Sequence, residues 1–509
     1  MTTPTLLTPS PALAEPLTPF ESSMPMRPIG DVAPFMPVAL KPGHVTLPDD
    51  VTPPDDGASP GHVDREDPPR HGILDERLQS RFDAVTAVVA PEVTGRVDRV
   101  VGLRFDVAGL DLPLGAGVRV VGPGGLTGEV VGCGSGEVSC MPFGDLRGLH
   151  VGARVVGTGG APSVPVGVEL LGRVIDALGN PLDDGPPIDF LERVSIEGTP
   201  PHPLRRARVQ EPLSLGVRVW DTLAPMGKGQ RVGVFAGSGV GKSTLMGMVA
   251  RGSQADVNVV ALIGERGREV REFIEAELGE EGMRRSVVIV ATSDTPALVR
   301  LRAAAAATRI AEWFRDRGDD VVLMMDSITR FCMAQREIGL SAGEPPTSRG
   351  YPPSVFSLLP KLLERAGTAE RGSITGIYTV LVDGDDHNEP IADAARSILD
   401  GHIVLSRALA HAGHYPAIDA LASVSRVANA VTDEQQQRSA RELRQLLAAH
   451  AEARDLIEIG AYVPGSSVMV DRAVALRGPI DDFLQQRIDD HWVATASFTR
   501  LGELLQART

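Results

Sequence analysis

At 509 residues the chain is too long for one ordinary core, and about two or three folded units are expected. Hydrophobic residues at 42% and charged residues at 23% are near the average for a soluble globular protein, and no apolar stretch approaches the roughly 20 residues of a spanning helix. A net charge of −16 works against nucleic-acid binding through a general electrostatic footprint, although a local basic patch stays open.

The chain begins MTTPTLLTPSPALAEPL, without the basic and continuous apolar regions of a secretory leader, and its cysteines (Cys133, Cys140 and Cys332) cannot all pair within one chain, so a reducing cytoplasm is expected. From Met1 to about Arg70 proline is crowded and no helical or strand period exists, which predicts an unstructured tail. A partner-binding segment around Pro34 to Leu40 is the functional alternative to a solvated arm. Leu74 to Pro91 has an amphipathic helical pattern. Between Glu92 and about Gly160, short Val-rich runs broken by Gly-rich turns predict a small all-β barrel. Cys133 and Cys140 inside it are spaced too widely for the usual half of a structural zinc site. Val164 to Ile188 reads as a connection carrying the turn signals GNP and DDGPP.

From about Pro200 to Ala430, apolar strand-like runs alternate with helical stretches: RVGVFA then KSTLMGMVAR, VNVVALIG then REVREFIEAEL, SVVIVATS then ALVRLRAAAAATRIAEWFRDR, and DVVLMMD then ITRFCMAQREI. Fully apolar strands between helices predict a parallel sheet covered on both faces. Beyond about Thr432, the strings DEQQQRSARELRQLLAAHAEARDLIEIG and IDDFLQQRIDDHWVATASFTRLGELL predict helices. The expected partition is an extension at 1–73, an N-terminal helix and barrel at 74–165, an α/β domain at 166–430 and a helical domain at 431–509.

The string Gly237, Ser238, Gly239, Val240, Gly241, Lys242, Ser243, Thr244 completes a G-x-x-x-x-G-K-[ST] pattern whose leading glycine is replaced by Ala236. It follows an apolar strand and opens a helix, the context in which backbone N–H groups and a helix N-terminus cradle phosphates. Lys242 would reach the β- and γ-phosphates of ATP, and Ser243 would help hold Mg²⁺. VVLMMD ends in Asp326, placed to orient the metal and its water shell. Glu265 directly follows VNVVALIG and is the candidate for aligning the lytic water, whereas Glu269 and Glu272 read as a solvated helix start. Arg266 pairs either with phosphate or with a neighbouring carboxylate.

With these parts in order, the chain resembles the rotary ATPase superfamily and, within it, the flagellar and type III protein-export ATPases. The resemblance spans about Glu92 to Gln486 and includes GKGQRVGVFAGSGVGKST, IGERGREVREFI, GYPPSVF, GDDHNEPIADAAR and PAIDALASVS. ADAARSILDGHIVLSR leans towards the flagellar branch. The resemblance implies a small β-barrel, a central P-loop (RecA-like) parallel-sheet domain and a C-terminal helical domain. It implies that Glu265 activates water, that Arg266 and Arg330 lie near the phosphates, that Asp326 serves the metal and that Tyr415 packs on the adenine ring, the alternative for Tyr415 being an ordinary core tyrosine. Arg426, in SVSRV, resembles an arginine finger presented to a neighbouring subunit. A homohexamer follows from the resemblance, with export-gate, stalk and regulator proteins, export substrates and chaperones as partners, no nucleic acid, and peripheral attachment at the cytoplasmic face of the membrane. Two other readings stand beside it: a nucleotide-binding but catalytically silent ring subunit, against which Glu265 and Asp326 argue, and an RNA-translocating ring, against which the acidic charge argues.

Overall fold

The computed structural model describes residues 93–122, 124–382 and 389–506. The expected tail, the partner-binding segment within it and the helix at Leu74 to Pro91 lie outside the described residues.

Strands β1 (Thr94–Val101), β2 (Arg104–Ala108), β3 (Gly117–Val120), β4 (Thr127–Cys133), β5 (Glu137–Pro142) and β6 (Arg154–Gly157) close into a barrel in the order β1-β2-β5-β4-β3-β6. Alternation does the work: Val97, Phe105, Val107, Val118, Val130, Val138, Cys140 and Val155 fill the interior, while the residues between them face outward. Closing the ladder removes the edges that so small a sheet would otherwise expose.

The segment expected to be a plain connection contains strands. β7 (Ser163–Val166) pairs antiparallel with β9 (Glu192–Ser195), and β8 (Val174–Asp176) joins the edge of the main sheet. The predicted turns are the bends between them. Asp183 fastens β8 by accepting from Arg173 Nη2 at 2.6 Å and from the Val174 N–H at 2.6 Å.

After the short helix α1 (Arg218–Leu223) the expected alternation follows: β10 (Arg231–Ala236), α2 (Lys242–Gly252), β11 (Val257–Ile263), α3 (Gly267–Glu272), α4 (Gly279–Arg284), β12 (Ser286–Ala291), α5 (Ala297–Arg317), β13 (Asp320–Asp326), α6 (Ile328–Ser341), α7 (Pro353–Leu363), β14 (Ser373–Leu381), α8 (Pro390–Ile398), β15 (Gly401–Val404) and β16 (Val424–Ser425). The sheet order is β16-β15-β10-β14-β13-β11-β12-β8, parallel except where β16 meets β15. Each central strand feeds two cores: in β11, Val257, Val259, Ala261 and Ile263 join one cluster, and Val260 and Leu262 join the other. That is the packing of a parallel sheet buried on both sides.

REVREFIEAEL is not one helix. Phe273–Leu278 forms a π turn between α3 and α4, and both Phe273 and Leu278 are buried. Five residues apart, they share a face only where the turn is widened to i→i+5 spacing.

Helix α9 (Glu434–Glu458) starts at a capping box in which Asp433 and Gln436 satisfy each other's backbone N–H groups. α10 (Val468–Ala475), α11 (Arg477–Leu484) and α12 (Ala494–Gln506) follow, and their apolar faces join the core beneath α1 and α2. The expected continuous helicity of IDDFLQQRIDDHWVATASF is broken: between Leu484 and Ala494 no helix forms, because Arg218 donates to the Phe483 carbonyl at 2.7 Å and to the Asp482 carbonyl at 3.1 Å and so ends α11.

Candidate active site

β10, β11, β13 and β14 run parallel, so their C-terminal ends meet at one edge of the sheet, where ligands bind in open α/β folds. The loop leaving β10 turns through left-handed conformations at Gly239 (φ 77°) and Gly241 (φ 86°), which a residue with a Cβ rarely adopts. The Val240 side chain is buried in the core and pins the loop from below, which leaves its backbone to face outward.

The loop walls a cavity of about 440 Å³ together with Gly264, Glu265, Arg266, Glu269 and Arg330. Lys242, the first residue of α2, donates from Nζ to Glu265 Oε1 at 3.2 Å and to Asp326 Oδ1 at 2.5 Å. Asp326 is almost fully buried behind the lysine and also accepts from Thr379 Oγ1 at 2.7 Å. One cation is thus held between carboxylates delivered by two adjacent strands. Burial alone would lower the Lys242 pKa, but Asp326 and then Glu265 outweigh it and hold the ammonium above its ordinary range. Burial, and after it the Asp326 charge, push the Glu265 carboxyl up to about 7 against the pull of Lys242. A carboxyl so tuned can align a water and take its proton near neutral pH.

Gly264 has φ 73°, and a Cβ there would come within 2.9 Å of the Arg330 side chain, so the glycine lets Arg330 lie across the end of β11. Arg330 Nε is buried and has no hydrogen-bond partner among the described residues. A guanidinium, an ammonium and a loop of outward-facing backbone on one cavity fit a polyanion such as a triphosphate chain. Ser243 lies on the cavity wall and Asp326 just behind it, two oxygen donors of the kind magnesium takes while keeping several waters.

Arg266 is exposed and pairs with Glu269 Oε1 at 3.3 Å, the neighbouring-carboxylate alternative, while still bordering the cavity. Glu269 and Glu272, read from sequence as a solvated helix start, stand on the same rim, and Glu269 is hydrogen-bonded to Glu265. The Thr244 hydroxyl donates to Glu277 at 2.8 Å and ties α2 to the π turn. Tyr415 is 45% exposed, so it is not a core tyrosine. Its ring lies over the phosphate loop, where a Cβ on Gly241 would be 3.4 Å from Tyr415 Cε1, and it lines an adjoining cavity of about 560 Å³.

Arg426 is the one assigned residue the fold keeps away. It follows β16, donates from its backbone to Asp400 O at 2.9 Å and from Nη2 to Arg396 O at 3.2 Å, and Asp400 in turn accepts from the N–H of Arg231 at the start of β10. The phosphate loop leaves the other end of that strand, about 20 Å away at strand rise, beyond the reach of one side chain.

Sequence reasoning missed Thr379, Glu277 and the Gln486–Asp489 wall of the second cavity. Thr379 had a weak signal: it is one of several hydroxyl residues, with Ser373 and Thr375, in the strand-like run SITGIYTVL, and a buried hydroxyl needs a partner. The Gln486–Asp489 wall had none.

Three family models match the chain: the ATP synthase alpha/beta family nucleotide-binding domain over residues 216–425, the beta-barrel domain of the same family over 95–159, and the T3SS EscN ATPase C-terminal domain over 432–503. The flagellum-specific ATP synthase of Bacillus subtilis is 50% identical over 432 residues, covering 84% of this chain and 99% of that protein. The type 3 secretion system ATPase of Xanthomonas euvesicatoria is 52% identical over 398 residues, covering 78% and 90% respectively. Among solved structures, the assembled ATPase EscN of the enteropathogenic E. coli type III secretion system superposes with a TM-score of 0.77 at 44% identity, covering 81% of this chain and all of that one. The same protein in complex with its central stalk EscO gives a TM-score of 0.76.

Proposed function

This chain belongs to the ATP synthase alpha/beta family, in the group that holds the flagellar and type III secretion ATPases, and from that premise we propose that it hydrolyses ATP to ADP and phosphate to drive protein export, working as a homohexameric ring. It is an ATPase. The observation that carries the proposal is the convergence of Lys242 with Glu265 and Asp326 beneath a glycine-turned loop.

In this reading the backbone from Gly237 to Thr244 wraps the phosphate chain, and Lys242 leaves its carboxylate partners for the β- and γ-phosphates. Arg330 supplies a second cation from the opposite wall, and Arg266 stands at the rim. Glu265 aligns a water for attack on the terminal phosphorus and accepts its proton. Magnesium, held by Ser243 and Asp326, would offset charge on the phosphates. Tyr415 stacks on the adenine. Arg426 stabilises the transition state in the neighbouring subunit, a role supported by its distance from its own phosphate loop.

No helix among the described residues is long and apolar enough to cross a membrane, and we place the ring at the cytoplasmic face of one, against stalk, regulator and export-gate proteins and the chaperoned substrates. The machine is a flagellum in our reading, and flagellar rod and hook genes beside this one are expected; needle-complex genes there would reassign it to an injectisome. The relatives named above are export ATPases, which leaves the RNA-translocating alternative without support. The domain partition given from the sequence is retained as part of the proposal. Steady-state hydrolysis by the assembled protein tests the chemistry: Glu265→Gln should lower kcat by about 10²–10⁴ while ATP still binds, and equal rates would remove Glu265 from its role.

A further inference from the structure

The non-helical stretch between α11 and α12 lines the same cavity as Tyr415, with Gln486, Ile488 and their neighbours. It is tethered along its length. The Gln486 N–H donates to Tyr415 O at 3.0 Å, Trp492 N–H to Gly216 O at 3.3 Å, and Arg251, from the last turn of the phosphate-loop helix, to Ile488 O at 2.9 Å. The Gln486 side chain is buried and uses both ends: Oε1 accepts from the Arg218 N–H at 2.8 Å, and Nε2 donates to Gly216 O and Asp490 O, each at 2.8 Å. Arg218 is buried as well. Its guanidinium donates to carbonyls at the end of α11, including that of Gln485, and lies 4.7 Å from the Trp492 ring centroid. A guanidinium satisfied by carbonyls and a ring fixes a backbone path with little freedom to shift. The clasp therefore has one end in the C-terminal helices and the other, through the Gln486 backbone, on the residue bearing the exposed aromatic ring.

We propose that Gln486 and Arg218 are positioning residues for the nucleotide base: they hold the Gln486–Ile488 wall at a fixed distance from Tyr415, making a slot for a flat heterocycle and giving the site its preference for a nucleoside triphosphate over a bare phosphate chain. This rests on the reading of Tyr415 as the base-stacking ring. The exposed Ile488 supplies an apolar surface on the far side of the slot.

The test is a pair of affinities measured on the full chain with magnesium present, for ATP and for inorganic tripolyphosphate, alongside KM and kcat for ATP. Gln486→Ala and Arg218→Ala should each weaken ATP about tenfold and raise KM to match, with kcat largely retained and tripolyphosphate affinity unmoved. Arg218→Lys, which can still reach one carbonyl, should restore part of the loss. Ile488→Ala leaves every side-chain bond of the clasp in place and should reproduce the selective loss even where the clasp variants fold poorly. Equal weakening of both ligands, or no change in either, overturns the proposal. Tyr415→Ala separates the two claims: an unaltered ratio of ATP to tripolyphosphate affinity there sinks the stacking reading itself.

Discussion

Asp221 is wholly buried and accepts hydrogen bonds from Ser214 Oγ at 2.8 Å, Leu215 N–H at 2.9 Å and Gly216 N–H at 3.1 Å. Burial pushes its carboxyl up to about 7 from an ordinary value of 3.8, and the three donors only partly oppose the rise. The folded chain thus holds a proton that the unfolded chain releases between those values. The associated stability is full below about pH 4, declines at up to about 1.4 kcal/mol per pH unit and is gone above about pH 7. The advantage of the wild type over Asp221→Asn in thermal unfolding should therefore shrink as pH rises from 4 to 7 and then level off, and an offset independent of pH would show that Asp221 is not protonated in the fold. Nothing in SLGVRVWDTL advertised this residue, whose role depends on a bend in the chain just before it. Lys242, Asp326 and Glu265 were legible because each stands in a short string whose strand-end position the apolar run already marks. Gln486 was not, since its partner Gly216 is 270 residues away and no local period links them.

The barrel and the α/β layer are joined at β4 and α5, where Arg302 Nε donates to Glu129 Oε2 at 2.7 Å and Nη2 to the other carboxylate oxygen. Glu129 is only 3% exposed, so removing it strands a largely buried guanidinium. Glu129→Ala should lower the free energy of the first unfolding transition by about 3–5 kcal/mol, with much of it recovered by adding Arg302→Met. Denaturant titration checks this, and an unshifted transition would mean that the pair does not hold the two elements. The barrel itself was legible from valine alternation and glycine turns. Central strand β14 was harder, because Ser373, Thr375, Gly376 and Thr379 break up its apolar residues, and β8 is too short to carry a period. The π turn and the broken helix after Leu484 escaped because helical periodicity continues through both, and burial or distant carbonyl capping decides the outcome.

In the proposed ring Arg426 would serve a neighbouring subunit, since its own phosphate loop lies at the far end of β10. Arg426→Ala should reduce hydrolysis by the assembled ring by about 10³–10⁵ while a lone chain binds ATP as well as before; lost binding in the monomer would put the residue in its own site instead. The chain's acidic balance, its layered sheet and its order of domains were all readable from composition and period, whereas assembly was readable only through resemblance to known families. Everything rests on one binding event, and calorimetric titration of the purified full-length protein with ATP at saturating magnesium measures it directly. Saturable binding of one nucleotide per chain is expected, weakened at least about tenfold by Lys242→Ala, which removes the cation and leaves Glu265 and Asp326 facing the phosphates unneutralised. No saturable binding by the wild-type protein would contradict the proposed function.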